Sequence, residues 1–422
     1  MAVKSFLRSD YSRNIATLVT GTALAQAIPV AISPILTRLF TPEDFGLFAT
    51  YFSITMVASV IATAKFEMAI VLPADREESR SLMKFSILIS IIVSAVIFLL
   101  VLISRSFMAN ILNIAGLEKA LFLLPFSVLL IGCTQSLQYF LNRDKNFRGM
   151  ASSRISRGVS YSGFSLLTGV LKSGGMGLIV SDLFAQFISF FVMSRKEYFD
   201  GGIIQSKQTQ KDLINRYINF PKFLIPSGLL EKIAAHAPVF LLSSLFHSTV
   251  AVGFYSLAQR TIIAPADLIT RAISDVFRQE ASETYARQKE CKEVFMRTFK
   301  RLLSIAIIPF TIGFFIIEDV FAFVFGEDWR VAGHYARIMM PMFFLQFVVS
   351  PLSIMFVVAE KQKYDLMMQT FLLTTVLVSF FIGHYVLNSI PSALRIFTTC
   401  YSLKYVIEFI FSFRFSRGSV TG

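Results

Sequence analysis

The run FSILISIIVSAVIFLLVLIS, residues 85–104, holds no charged residue and no Gly or Pro. Its apolar residues do not alternate with polar ones, so it does not suit a membrane barrel strand, which alternates over about ten residues. At ~1.5 Å per residue, a helix of this length spans ~30 Å, the thickness of the hydrocarbon core of a bilayer. In hydrocarbon every backbone N–H and C=O has to be bonded within the segment, and a helix does that. The stretch predicts a transmembrane helix.

Working outward, stretches of the same kind recur along the chain, and twelve can be marked between residues 14 and 413. The fifth, RISRGVSYSGFSLLTGVL (154–171), is the most dilute, because Ser, Gly and two Arg interrupt it. No long polar interval separates the spans, so no soluble domain is expected. The composition agrees: with 55% hydrophobic residues, 16% charged ones and 45 Phe, a water-soluble chain of this length would leave far too much apolar surface. The expected fold is an all-α polytopic membrane protein of about 12 transmembrane helices.

A net charge of +13 would suit nucleic acid. Three quarters of the 40 Lys and Arg, however, fall in alternate loops and at the two chain ends, as the positive-inside rule demands, so no nucleic-acid partner is expected. The same bias predicts a cytoplasmic N-terminus and C-terminus. Cys133 and Cys400 lie in spans and Cys291 in a loop, which indicates neither a disulfide framework nor a metal cluster. The first residues have a passing likeness to a signal peptide, with Ala23-Leu24-Ala25 as a cleavage-like triplet. Their apolar region is poor, and cleavage would leave an odd number of spans, so an uncleaved first helix is expected. Trp329, in FGEDWR, reads as an interfacial anchor.

The hydrophilic segment SRKEYFDGGIIQSKQTQKDLINRYINF falls almost midway. The expected organisation is an N-terminal six-helix lobe (1–194), a cytoplasmic linker (195–222) and a C-terminal six-helix lobe (223–422). The lobes echo each other. LFTPEDFGLFAT (39–50) and LFHSTVAVGFYSL (245–257) each run from a Leu-Phe helix end through a short loop into a Gly-aromatic pair. NRDKNFRGM (142–150) and EKQKYDLM (360–367) are basic turns after the fourth span of each lobe. Weak repeats in register mark transporter halves, which rock about a shared site to give alternating access. Enzyme signatures are missing: there is no HExxH, no GxxxxGK[ST] and no Gly-x-Ser-x-Gly. His236, His247, His334 and His384 are far apart. No cofactor and no metal are expected, and transport would draw on an ion gradient or on that of the substrate.

Charges at membrane depth are expensive and usually face a cavity or a partner. In AVGFYSLAQRTIIAPADLITRAIS (251–274), Arg260 lies near the midplane, and Arg260, Ala264, Asp267 and Arg271 form one helical stripe, with Pro265 freeing a carbonyl between them. The stripe either faces a cavity or locks the helix to a neighbour. The preceding span, FPKFLIPSGLLEKIAAHAPVFLLSS, carries Glu231, Lys232 and His236. Lys232 and His236 share a face that adjacent Glu231 cannot fully share, so one charge is expected to meet another helix unless both snorkel to the interface. Asp182 stands alone in MGLIVSDLFAQF, and Lys404 and Glu408 are spaced to neutralise each other. Gln26, near Pro29 and Pro34, suggests a bent first helix facing a polar space, or one interhelical hydrogen bond.

NIATLVTGTALAQAIPVAISPILTRLFTPEDFGLFATY (14–51), KFEMAIVLP (65–73), GFYSLAQR (253–260) and FGEDWRVAGHYARIMMPMFFLQFVVSPLS (325–353) occur in that order along nearly the whole chain. Together they resemble the polysaccharide-exporting branch of the multidrug, oligosaccharidyl-lipid and polysaccharide exporter superfamily, which includes the O-antigen flippases. The resemblance implies a multi-pass protein of the bacterial inner membrane whose first, second, seventh and eighth helices line a central cavity open to one face at a time. Its substrate would be a polyprenyl diphosphate-linked oligosaccharide, such as an O-antigen repeat unit for lipopolysaccharide, moved from the cytoplasmic to the periplasmic leaflet. Arg260, Lys232 and His236 would bind the diphosphate, and Asp267, Glu231, Asp182 and Gln26 would serve ion coupling or line the cavity. The partners implied are the lipid-linked glycan, membrane lipids, and the polysaccharide polymerase and chain-length machinery. Two other readings stay open: an ion-coupled exporter of small amphipathic cations, and a membrane-embedded glycosyltransferase or glycan polymerase. The last commonly needs a sizeable soluble loop and acidic pairs that this chain lacks.

Overall fold

The computed structural model describes residues 10–194, 198 and 214–418, so most of the expected linker at 195–222 lies outside the described residues. The long helices in chain order are α1 (Asp10–Leu39), α2 (Pro42–Ala58), α3 (Arg76–Leu112), α4 (Leu124–Arg143), α5 (Phe147–Val170) and α6 (Gly174–Met193). They continue with α7 (Asn219–Ser244), α8 (Thr249–Gln288), α9 (Lys292–Phe325), α10 (Arg330–Val349), α11 (Gln362–Tyr385) and α12 (Ile390–Ser416). The chain divides into two compact units, Met1–Lys232 and Ile233–Gly422, with the boundary inside α7. Among the described residues nine segments are long and apolar enough to cross a membrane, against the twelve expected. The expected spans outside that count lie on α1, α5 and α8. On α1 the described apolar helix is Ala25–Leu39, while α5 and α8, 24 and 40 residues long, have their apolar stretch diluted by Ser, Thr, Gly and charged residues.

Helix α3 shows which solvent surrounds the bundle. Its buried stripe carries Ser86, Ser90 and Ser94 beside Leu82 and Met83, while Leu88, Ile92, Leu99 and Ile103 face outward. Ile103 is 85% exposed. In water this helix would be inside out; in lipid, the apolar side meets acyl chains and small residues meet the neighbouring helix. On α4, a side chain at Gly132 would collide with Ser90, so the two backbones approach closely there.

In the first unit α1 packs on α5, α5 on α6, α6 on α2 and α4, and α3 on α4. Pro29 lies inside α1 and has no N–H, which frees the carbonyl of Ala25 one turn earlier. That oxygen points at Gly158 of α5, where an added Cβ would lie 2.6 Å from it. A helix break in α1 is thus matched by a missing side chain in α5. In the second unit α9, α8 and α12 each pack on α10, and α11 packs on α12.

The sequence echoes correspond to the same local devices. Thr41 and Ser248 are the N-caps of α2 and α8: Asp44 N donates to Thr41 Oγ1 at 3.3 Å, and Ala251 N to Ser248 Oγ at 3.2 Å. The basic turns are a matching pair of helix stops. Lys145 and Glu360 adopt left-handed φ values of 54° and 57°. The next N–H reaches five residues back in both cases, Asn146 to Leu141 O at 2.8 Å and Lys361 to Phe356 O at 2.7 Å.

Asp44 serves two elements. Its Oδ2 accepts from Thr41 N at 2.9 Å, completing a capping box, and its Oδ1 accepts from Gly175 N at 2.6 Å in the first turn of α6. Asp44→Ala removes both acceptors and is expected to destabilise the protein by about 1–3 kcal/mol. Asp44→Asn, which keeps one carbonyl oxygen, is expected to lose less; melting temperatures in detergent compare the two.

Trp329 is not an interfacial anchor. It is 1% exposed and meets Phe254 of α8 edge-on, with ring centroids 5.8 Å apart. Gly326, at φ 106°, ends α9 and admits the tight turn Glu327–Trp329, which folds the indole into the second unit. All three cysteines are free, and burial pushes the Cys291 thiol up to about 11.

Candidate functional site

The expected stripe on α8 forms. Asp267 pairs with Arg271 at 3.4 Å, one turn apart, with the two side chains 38% and 64% exposed. Arg260 is half-buried two turns before Asp267 and is engaged with neighbouring groups. Asp267 opens into a small recess between α8 and α10. Thr270 of α8, Gln346 of α10 and Ser350 supply its other polar groups, and Phe343 and Phe347 form an apolar wall. A carboxylate beside an amide and two hydroxyls offers oxygen ligands to a small cation or a seat for a proton.

On α7, Glu231 and Lys232 bond each other at 3.2 Å and stay largely exposed. Their contact is one between adjacent side chains, whose flexible stems reach around the helix. His236 is half-buried and engaged one turn further along. Glu231 and Lys232 end the first unit, whereas His236, Arg260 and Asp267 belong to the second.

Asp182 is not alone. It is buried on α6, where Arg157 of α5 pairs with its Oδ1 at 3.2 Å and Gln186 Nε2 donates to its Oδ2 at 2.6 Å. The signal was in the sequence: Arg154 and Arg157 interrupt the fifth span, and they read as dilution rather than as intramembrane cations. Gln26 Oε1 is shut off from solvent without a hydrogen bond among the described residues, so the expected polar space is not at this oxygen. Lys404 and Glu408 do neutralise each other, as a buried pair on α12 with the ammonium 4.5 Å from the Tyr405 ring centroid.

Glu67 is a second residue that sequence reasoning missed. In KFEMAIVLP it reads as part of an inside loop, yet it is 3% exposed and accepts a hydrogen bond from Thr63. Two consecutive left-handed residues, Ala64 at φ 48° and Lys65 at φ 64°, turn the chain so that the helical turn Phe66–Val71 tucks this carboxyl inside.

The arrangement holds cations and carboxylates on helices of membrane length, with no nucleophile–base pair among the residues brought together. Comparison with solved structures agrees with a transporter fold. The chain is similar to the lipid II flippase MurJ in an inward closed conformation, at 13% identity over 94% of this chain and 87% of that one, with a TM-score of 0.73. It is also similar to the MATE multidrug transporter DinF-BH, at 14% identity over 95% of each chain and a TM-score of 0.66. A transporter of the MOP superfamily from Pyrococcus furiosus matches at 14% identity over 98% of each chain, with a TM-score of 0.62. At such identities the likeness is one of fold. No curated protein sequence matches. Residues 35–334 match a family described as polysaccharide biosynthesis protein. Because that match spans well over half of a multi-pass, all-helical chain, the protein belongs to the polysaccharide biosynthesis protein family.

Proposed function

We propose that the protein is a flippase of the bacterial inner membrane that moves a polyprenyl diphosphate-linked oligosaccharide, an O-antigen or related surface polysaccharide repeat unit, from the cytoplasmic to the periplasmic leaflet. The observation that carries this reading is the cationic stripe of α8, Arg260 to Arg271, in a chain of the polysaccharide biosynthesis family. A diphosphate carries its charge wherever the sugar goes, and moving it through a low-dielectric layer needs fixed cations on the way. Arg260 supplies a permanent charge and a planar fork suited to two phosphate oxygens, and Lys232 and His236 supply point charges. Alternating access by the six-helix lobes 1–194 and 223–422 would carry the group across. Asp267, open to its recess, would take up the coupling ion or proton on the return.

A second reading, an ion-coupled exporter of small amphipathic cations, is favoured by one observation, the recess itself, where Asp267, Gln346 and two hydroxyls offer only a carboxylate and neutral oxygens. Lipid-linked intermediates in a strain lacking the gene separate the readings. An intact, unpolymerised unit is expected to accumulate on the inner leaflet. Normal polymer would favour the cation exporter, and a unit missing sugars would point to a transferase.

A further inference from the structure

We infer that Arg157 of α5 is a second anion-binding residue, and that Asp182 is its resident counter-ion, displaced when a diphosphate oxygen binds. This rests on the reading of the substrate as a lipid diphosphate, and it adds a site in the first unit to the one on α8.

Three observations carry it. The partner of Arg157, Asp182, lies eight residues after Gly174 in the 20-residue span of α6, near the middle of a helix of membrane length, yet the Arg157 side chain is 41% exposed while that of Asp182 is 11% exposed. A guanidinium turned toward acyl chains at that depth is strongly unfavourable, so the exposed part of Arg157 faces a water-accessible space. Second, the carboxylate keeps a hydrogen bond when the arginine changes partner: Gln186, 3% exposed, donates to Asp182 Oδ2 at 2.6 Å, on the oxygen that Arg157 does not use. Third, α5 and α6 need no ion pair to hold them together. Ser153 and Ser189 hydroxyls bond at 2.7 Å, Thr168 and Ser181 at 3.2 Å, and an added Cβ on Gly177 would lie 2.8 Å from Thr168 Cβ.

A stapling pair and an exchangeable pair predict different signs. If the pair only staples α5 to α6, breaking it from either side is harmful. If Asp182 competes with the ligand for Arg157, removing the carboxylate charge leaves the arginine more available.

The test measures binding of geranylgeranyl diphosphate to the full-length protein in phosphatidylcholine nanodiscs. Arg157→Gln is expected to weaken binding at least tenfold, Arg157→Lys to weaken it less, and Asp182→Asn to strengthen it several-fold. Unchanged binding by Arg157→Gln, or equal weakening by Arg157→Gln and Asp182→Asn, overturns the inference. Should Arg157→Gln fail to fold, the sign of the Asp182→Asn effect decides alone. Competition by inorganic pyrophosphate supports a phosphate site, whereas displacement of the probe by phosphatidylglycerol assigns Arg157 to bulk headgroups and overturns it. Arg260→Gln measured in parallel separates the two claims. Loss of binding there but not in Arg157→Gln sinks only the present inference, and no binding by the wild type sinks both.

Discussion

Arg260→Ala is expected to cut surface polysaccharide at least ~10-fold at unchanged protein level. The side chain stands two turns from Asp267 on a helix that continues for 40 residues, so its removal leaves the backbone of α8 intact. What is lost is one charge-assisted contact, ordinarily about 1.5–3 kcal/mol, which corresponds to roughly 10–100-fold in binding. Arg260→Lys keeps the charge but not the fork, and is expected to retain part of the activity. Polysaccharide visualised on gels from a complemented deletion strain, normalised to membrane-inserted protein, reads both variants. Wild-type polymer in Arg260→Ala would remove the diphosphate role from this residue.

The second large effect concerns a single methyl group. Gly158→Ala puts a Cβ 2.6 Å from the Ala25 carbonyl, which is backbone and cannot rotate away. Helix α1 has to shift, at about 1–3 kcal/mol for such overpacking, a large share of a typical folding stability of about 5–15 kcal/mol. Gly163, on the same helix, has nothing within 4 Å of the added atom. There the substitution gains helix propensity, about 1 kcal/mol. The two changes, identical in chemistry and five positions apart in sequence, are expected to move the melting temperature in opposite directions. A fall of the same size in both would mean that the Pro29–Gly158 match contributes nothing.

The membrane character is legible in residues 85–104 because lipid tolerates no open backbone, and an apolar run of that length has few other uses. Which side of such a helix faces inward is harder to read. On α3 the buried side is marked by Ser86, Ser90 and Ser94, not by the bulkiest residues. Helices α5 and α8 are polar along part of their length, so hydropathy alone underrates them. The stripe on α8 is legible because helical spacing places Asp267 and Arg271 together on one element. The Arg157–Asp182 contact is not, since it joins two helices whose packing no local pattern announces. Trp329 misleads for a related reason: its place at a helix start suggests the interface, and only the turn after Gly326 sends it inward.

The paired stops at Lys145 and Glu360 close through the next N–H, of Asn146 and Lys361, on carbonyls five residues before it, Leu141 and Phe356, and borrow nothing from the opposite half. During translation, therefore, the earlier stop can be complete while the second unit is still unsynthesised. The nascent chain can reverse direction after α4 on local instructions alone, and the ribosome meets the same instructions again when it reaches the end of the later copy.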